Sequence, residues 1–323
     1  MKLLPKLPLL LALLCLFSAG CRKSTPQTNQ NTNQQATGAA SPTPDPAVVE
    51  AQLAQVRQYL EKDKDADPQN YHYNMGNYYV AAGKYQEAIG EYKQAVQLDP
   101  KDSDSLVHMG DAYLALKQDA QALDAYKQAL QTNPKSSDAY VHLGDYYSRQ
   151  NQTDEALKNY RQATAVNPKD ATAQFRLGET LRHNGQPQDA LKAYQQAVKI
   201  KADYADAYFS LGNTYDQLNQ PKQSLEAYRN ATKYNARDND AWFNLGNTYN
   251  RLGQTDEAVK AFEKSVELKS DDAEARRVLG FLYLQQGNKQ GATDQYNALK
   301  NLNPQFAALL NDAINKPPQT NTK

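Results

Sequence analysis

A glycine returns every 34 residues through most of this chain, at Gly76, Gly110, Gly144, Gly178, Gly212, Gly246 and Gly280. No other feature restricts the fold so strongly. A repeated unit of that length buries little by itself and is stable only when it stacks on its neighbours. The period therefore predicts a linear array. The 22 tyrosines, against 7 phenylalanines and one tryptophan, agree with one motif copied many times.

The residues around each glycine specify the unit. Three positions on stands an aromatic ring (Tyr79, Tyr113, Tyr147, Tyr215, Tyr249 and Tyr283), with Leu181 as the exception. Glycine and ring share one helical face, which predicts close approach of a second helix at the glycine. Twelve positions on comes a small residue (Ala88, Ala122, Ala156, Ala190, Ser224, Ala258 and Ala292), the expected contact point on that second helix. Four further on is a ring in every copy: Tyr92, Tyr126, Tyr160, Tyr194, Tyr228, Phe262 and Tyr296. Pro100, Pro134, Pro168 and Pro304 stop the second helices, whereas Ala202, Ala236 and Ser270 lack that stop and predict helices that run on. Gly83, Gly185, Gly253 and Gly287, with Asn151 and Asn219, suit a left-handed turn between the helices, and Lys117 breaks the rule. Asp102, Ser136, Asp170, Asp238 and Asp272 stand where a side-chain oxygen caps the next helix.

In period and in these positions the chain resembles the tetratricopeptide repeat family. The resemblance implies an all-α helix-turn-helix solenoid, a right-handed superhelix of seven repeats at 69–102, 103–136, 137–170, 171–204, 205–238, 239–272 and 273–306. An amphipathic helix within 47–68 and another within 307–323 are expected to cap its ends, the latter through Phe306, Leu309, Leu310 and Ile314. It also implies that the first helices line a concave groove for a protein or peptide segment. One candidate row, three residues before each glycine, is Tyr73, Val107, Val141, Phe175, Phe209 and Phe243; a second, just after it, is Asn77, Asp111, Asp145, Glu179, Asn213 and Asn247, with Asn244 beside them. Rings and valines would anchor side chains and amides would meet backbone groups. The early part of the groove reads as acidic and the later part as neutral and aromatic. A carboxylate clamp of the family's kind is not expected, since Phe209, Glu274 and Val278 occupy the places of its cations.

The first 21 residues read differently. Lys2 and Lys6 precede the apolar run Leu7–Phe17, and Ser18-Ala19-Gly20 lead to Cys21, the layout of a secretory signal at 1–20. The run is short of the ~20 residues of a membrane span. It resembles a bacterial lipoprotein signal, which implies acylation of Cys21, although Ser18 stands where that pattern usually has leucine, and ordinary secretion is the alternative. Residues 21–46, rich in Thr, Asn, Gln, Ser and Pro, read as a disordered tether. Cys15 and Cys21 are the sole cysteines, so the array has no disulfide framework and no cysteine metal site.

Acidic and basic residues number 36 each, and no global field recommends nucleic acid as partner. His108, Asp111, His142 and Asp145 place a histidine and an aspartate on two adjacent first helices, a set that could approach one metal ion but that duplication of a repeat also explains. No phosphate loop or nucleophile arrangement stands apart from the repeats. The expectation is a non-enzymatic scaffold without cofactor or small-molecule substrate, attached outside the cytoplasmic membrane through lipid alone. A small-ligand or metal-binding solenoid and a self-associating array are the rival classes.

Overall fold

A computed structural model of the chain describes residues 46–61 and 67–315. The signal segment, Cys21, the tether up to residue 45 and the tail after Asn315 lie outside the described residues. Sixteen helices are described. Helix α1 (Pro46–Leu60) is followed by α2 (Pro68–Ala81), α3 (Tyr85–Leu98), α4 (Ser103–Ala115), α5 (Asp119–Thr132), α6 (Ser137–Arg149), α7 (Thr153–Val166), α8 (Ala171–His183) and α9 (Pro187–Ile200). Then come α10 (Ala205–Gln217), α11 (Pro221–Tyr234), α12 (Asn239–Arg251), α13 (Thr255–Leu268), α14 (Ala273–Gln285), α15 (Lys289–Leu302) and α16 (Pro304–Asn315). None is long and apolar enough to cross a membrane.

The chain divides into two compact units, up to Tyr146 and from Tyr147. In the first, α2 packs on α3 and α4 on α5, with α3 against α4. Helix α1 lies against α2 and buries Val49, Leu53, Val56 and Leu60, one stripe at helical spacing. In the second, α8–α9, α10–α11, α12–α13 and α14–α15 form the pairs, each second helix also touching the following first helix. Helix α16 closes that unit by burying Leu310 and Ala307 beside Leu299, with Phe306 and Ile314 packed around them. Leu309, expected on the same face, is 55% exposed instead. It stands three residues after Phe306, whereas Leu310 and Ile314 follow at intervals of four and hold the inner face.

The seam explains the period. A Cβ at Gly110 or Gly178 would lie 2.5 or 2.6 Å from Cε1 of Tyr126 or Tyr194, and one at Gly246 would lie 2.8 Å from the Phe262 ring. What requires glycine is thus the ring of the second helix seated directly on it. At Gly280 the neighbour is Leu310, so α16 supplies in the last repeat what the ring supplies at Gly76, Gly110, Gly178, Gly212 and Gly246.

Turns and caps follow the sequence with two differences. Asp102, Ser136, Asp170, Asp238 and Asp272 accept hydrogen bonds from backbone amides in the first turns of their helices. Lys117 takes the left-handed conformation despite its side chain (φ 58°), like Asn151 (57°) and Asn219 (54°); the packing of α4 on α5 imposes the turn and a non-glycine residue there costs ~1–2 kcal/mol. Helices α9, α11 and α13 do not run on without proline. They end at Ile200, Tyr234 and Leu268, because the chain turns through Tyr204 N–H to Lys201 O, Asp238 N–H to Asn235 O and Asp272 N–H to Lys269 O, as Asp102 N–H does to Asp99 O.

Candidate binding face of the first helices

The rings three residues before the glycines lie against the rings that sit on the glycines. Centroid separations are 6.3 Å for Tyr73–Tyr92 in the first unit, and 5.9 Å for Phe175–Tyr194, 5.9 Å for Phe209–Tyr228 and 5.5 Å for Phe243–Phe262 in the second. Each outer ring is half-buried. One edge belongs to the core and the other remains open to a ligand. Val107 and Val141 depart from the expected row, for both are buried (2% and 6% exposed) and offer no surface. Valine is too short to reach past the seam. In their place the next residues, His108 and His142, lie near the rings: His108 is 6.0 Å from Tyr92 and His142 6.1 Å from Tyr126.

The row after the glycines has a structural duty that the repeat pattern does not announce. The hydroxyl of Tyr92 donates to Asn77 Oδ1 (2.7 Å) and that of Tyr126 to Asp111 Oδ1 (2.6 Å). Tyr194 likewise donates to Glu179, and Tyr228 to Asn213 Oδ1 (2.7 Å). Burial pushes the hydroxyls of Tyr194 and Tyr228 well above the usual phenol range, so they remain donors. The residue after the glycine is therefore the acceptor for the ring fifteen positions on. Where that ring is Phe262 there is no hydroxyl to receive, and Asn247 is exposed. The pairing was open to inspection in the sequence: a hydrogen-bonding residue stands fifteen positions before Tyr92, Tyr126, Tyr160, Tyr194 and Tyr228, and Phe281 before Tyr296 is the exception.

In the second unit these features combine into a surface. Half-buried Phe175, Phe209 and Phe243 lie on the same helix faces as Asn213, Asn244 and Asn247. Asn213 Oδ1 also accepts from Asn244 Nδ2 at 3.4 Å, so both of these bonds use its oxygen and neither uses its amide hydrogens. Such a face can hold apolar side chains and hydrogen-bond a backbone. Glu179 is held by Tyr194 and lies 3.6 Å from Arg182, so its charge is already part-compensated. Past Asn247, Arg277 pairs with Glu274 and stacks on Phe306 (5.3 Å), leaving Phe281 exposed beside Leu309.

In the first unit the corresponding face is polar. His142 Nδ1 lies 2.8 Å from Asp111 Oδ1, and His108 Nδ1 lies 3.7 Å from Asp111 Oδ2. Among the described residues no group of three or more His, Cys, Asp or Glu is disposed to hold a metal ion. Asp111 spends its oxygens on Tyr126 and the two imidazoles, and Asp145 lies half-buried on α6. Burial opposes both charges of the pair, yet the bonds from His108, His142 and Tyr126 hold Asp111 far below the usual carboxylate range. Burial likewise disfavours protonated His142, but Asp111 outweighs it and raises this imidazole above its ordinary 6.5. The raised histidine contributes stability in full below pH 6.5 and loses it as pH rises through its folded value; the lowered carboxylate contributes above 3.8 and loses it only in strong acid. Urea unfolding is therefore expected to show the pair at its strongest between those two values. Stability should fall as pH rises above 6.5, by at most about 1 kcal/mol, since the groups are a third exposed and water screens them. A His142→Gln variant should lose that slope; an unchanged slope would refute the assignment.

Comparison with known proteins places these features in context. Three tetratricopeptide repeat family models match the chain, one over residues 142–205 and 209–273, one over 79–140 and 249–313, and one over 125–158. No curated protein sequence matches. Among solved structures, YrrB, described as a TPR protein with an unusual peptide-binding site, is 23% identical, with 59% of this chain and 99% of that one covered and a TM-score of 0.53. Pseudomonas aeruginosa pilF is 18% identical over 66% of this chain and 99% of its own, with a TM-score of 0.56. The APC/C hetero-tetramer Cut9–Hcn1 is 16% identical over 82% of this chain and 53% of that chain, at 0.53. At these identities the likeness establishes the fold.

Proposed function

The chain belongs to the tetratricopeptide repeat family, and from that membership we propose that it is a non-enzymatic scaffold that docks an extended segment of a partner protein on the first-helix face of its second unit. The observation that carries the reading is the alternation there of half-open rings (Phe175, Phe209, Phe243) with side-chain amides that are half-buried (Asn213, Asn244) or exposed (Asn247). Rings supply desolvated anchors, and amides pair with backbone groups of any sequence. The peptide-binding site named for YrrB belongs to that protein; the ligand class proposed here rests on these residues.

The second part of the proposal is location. The signal-like 1–20 segment, the small residues before Cys21 and the polar stretch that follows support a lipoprotein anchored by acylated Cys21 outside the cytoplasmic membrane, where it would assemble or dock an extracytoplasmic complex. A photoreactive residue at Phe243 is expected to crosslink one partner polypeptide from the membrane fraction of cells, and a probe at an exposed second-helix position such as Lys222 is not. A Cys21→Ser chain should lose both the membrane fractionation and the crosslink. Equal capture from Lys222 would remove the first-helix face as the docking site, and a Cys21→Ser chain that stays with the membrane would remove the anchor.

A further inference from the structure

On the side of the second unit formed by its second helices, an open cavity of about 350 Å3 lies between α11 and α13 over α12. Trp242, Leu245 and Tyr249 line it, and Arg229, Lys233 and Lys260 stand exposed at its edge. The Trp242 indole is fixed by its Nε1–H donating to Ala236 O at 3.0 Å. The same cavity occurs in the first unit, about 330 Å3, with every one of its equivalent lining residues four repeats earlier. There the edge positions are Lys93, Gln97 and Asp124, and Leu106 replaces the tryptophan. The geometry is thus a by-product of stacking, and the charge and the tryptophan are particular to this place.

The next junction makes the contrast sharper. One repeat after Arg229, Lys233 and Lys260 stand Glu263, Glu267 and Asp294, and one repeat after Trp242 stands Arg276. All six edge residues are exposed. Of the six junctions between repeats, these two alone carry three edge residues of one sign, and the signs are opposite. Arg229 lies 3.6 Å from Glu226 and Lys264 2.8 Å from Glu267, surface pairs that hold their partners weakly; Glu263 also accepts from the Tyr283 hydroxyl (2.6 Å), Asp294 from Gln290 (2.9 Å), and Arg276 donates to Ser270 O and Gln295. Glu257 also lines the basic cavity and offsets part of its charge.

A basic strip beside an acidic strip on one face is self-complementary. A two-fold axis between them sets each strip of one molecule on the opposite strip of another and brings Trp242 toward Arg276, the pairing of aromatic and guanidinium that interface centres favour. We infer that this face binds a second copy of the same chain, giving a two-fold dimer held by the Arg229–Lys233–Lys260 strip of each molecule on the Glu263–Glu267–Asp294 strip of the other. The contact uses the second helices with Trp242 of α12 and Arg276 of α14, and leaves Phe175, Phe209 and Phe243 free, so it stands or falls separately from the docking reading.

The test uses the full chain in a non-denaturing detergent, with mass measured by sedimentation equilibrium. The wild type is expected at twice the chain mass. Arg229→Glu/Lys233→Glu/Lys260→Glu and Glu263→Lys/Glu267→Lys/Asp294→Lys are each expected as monomers, with circular dichroism unchanged because every substituted position is exposed. An equimolar mixture of the two variants should return to the dimer mass, since it sets an all-acidic face against an all-basic one. A monomeric wild type, dimers that persist in both variants, or a mixture that stays monomeric would each overturn the inference.

Discussion

Replacing Tyr228 with alanine is expected to destabilise the second unit by about 3–5 kcal/mol, the range for emptying a fully buried aromatic site. The ring is 1% exposed and touches three kinds of neighbour at once. It covers Gly212, it carries Phe209 on its outer edge, and its hydroxyl donates to Asn213 at 2.7 Å and to Asp216 at 3.1 Å. Collapse of the cavity would need α10 and α11 to move together, and the helices packed on either side oppose that. Tyr228→Phe should cost only about 1 kcal/mol, the net value of a hydrogen bond whose acceptor stays within reach of water. Phe262 shows that the site accepts a ring without a hydroxyl. Urea unfolding followed by far-ultraviolet circular dichroism separates the two variants. If both lose the same stability, the hydroxyl rather than the ring holds the seam and this account is wrong. The phenylalanine variant should also free Asn213, so its effect on partner capture at Phe243 would report whether the acceptor is needed for docking.

The second large effect comes from the other side of the same contact. Gly212→Val is expected to cost about 3 kcal/mol, the upper part of the range for overpacking. A Cβ at Gly212 would overlap Cε1, Cδ1 and Cζ of Tyr228, and the ring cannot swing aside while Asn213 and Asp216 hold its hydroxyl. On helix propensity alone, losing glycine from a helix interior would stabilise by up to about 1 kcal/mol. The sign therefore decides between packing and propensity. In a Tyr228→Ala background the clash is gone, and Gly212→Ala should turn from harmful to neutral or favourable; two penalties that simply add in urea unfolding would deny the direct contact.

These contacts show how much could be read beforehand. The 34-residue period, the small residues opposite the rings, the helix caps and the end helices are legible because each depends on residues near one another in sequence or repeated in register. The site was legible in outline. Phe175, Phe209, Phe243, Asn213, Asn244 and Asn247 are surface or half-surface residues as expected, whereas Val107 and Val141 belong to the core. Helical spacing gives the face of a side chain but not its reach, and valine at that face ends inside the seam. Asp111 and Glu179 looked like free acids, and both are hydrogen-bond acceptors for buried tyrosines.

By itself the sequence determined the repeat, its all-helical class and the positions that must be small, because a period copied seven times averages out local ambiguity and only one stacked arrangement satisfies every copy. The tertiary structure alone decided which ring sits on which glycine, which polar residues are spent on tyrosine hydroxyls, and that Lys117 must accept a left-handed turn. Those outcomes depend on contacts between helices, where side-chain length and the fixed approach of two backbones settle what pattern leaves open.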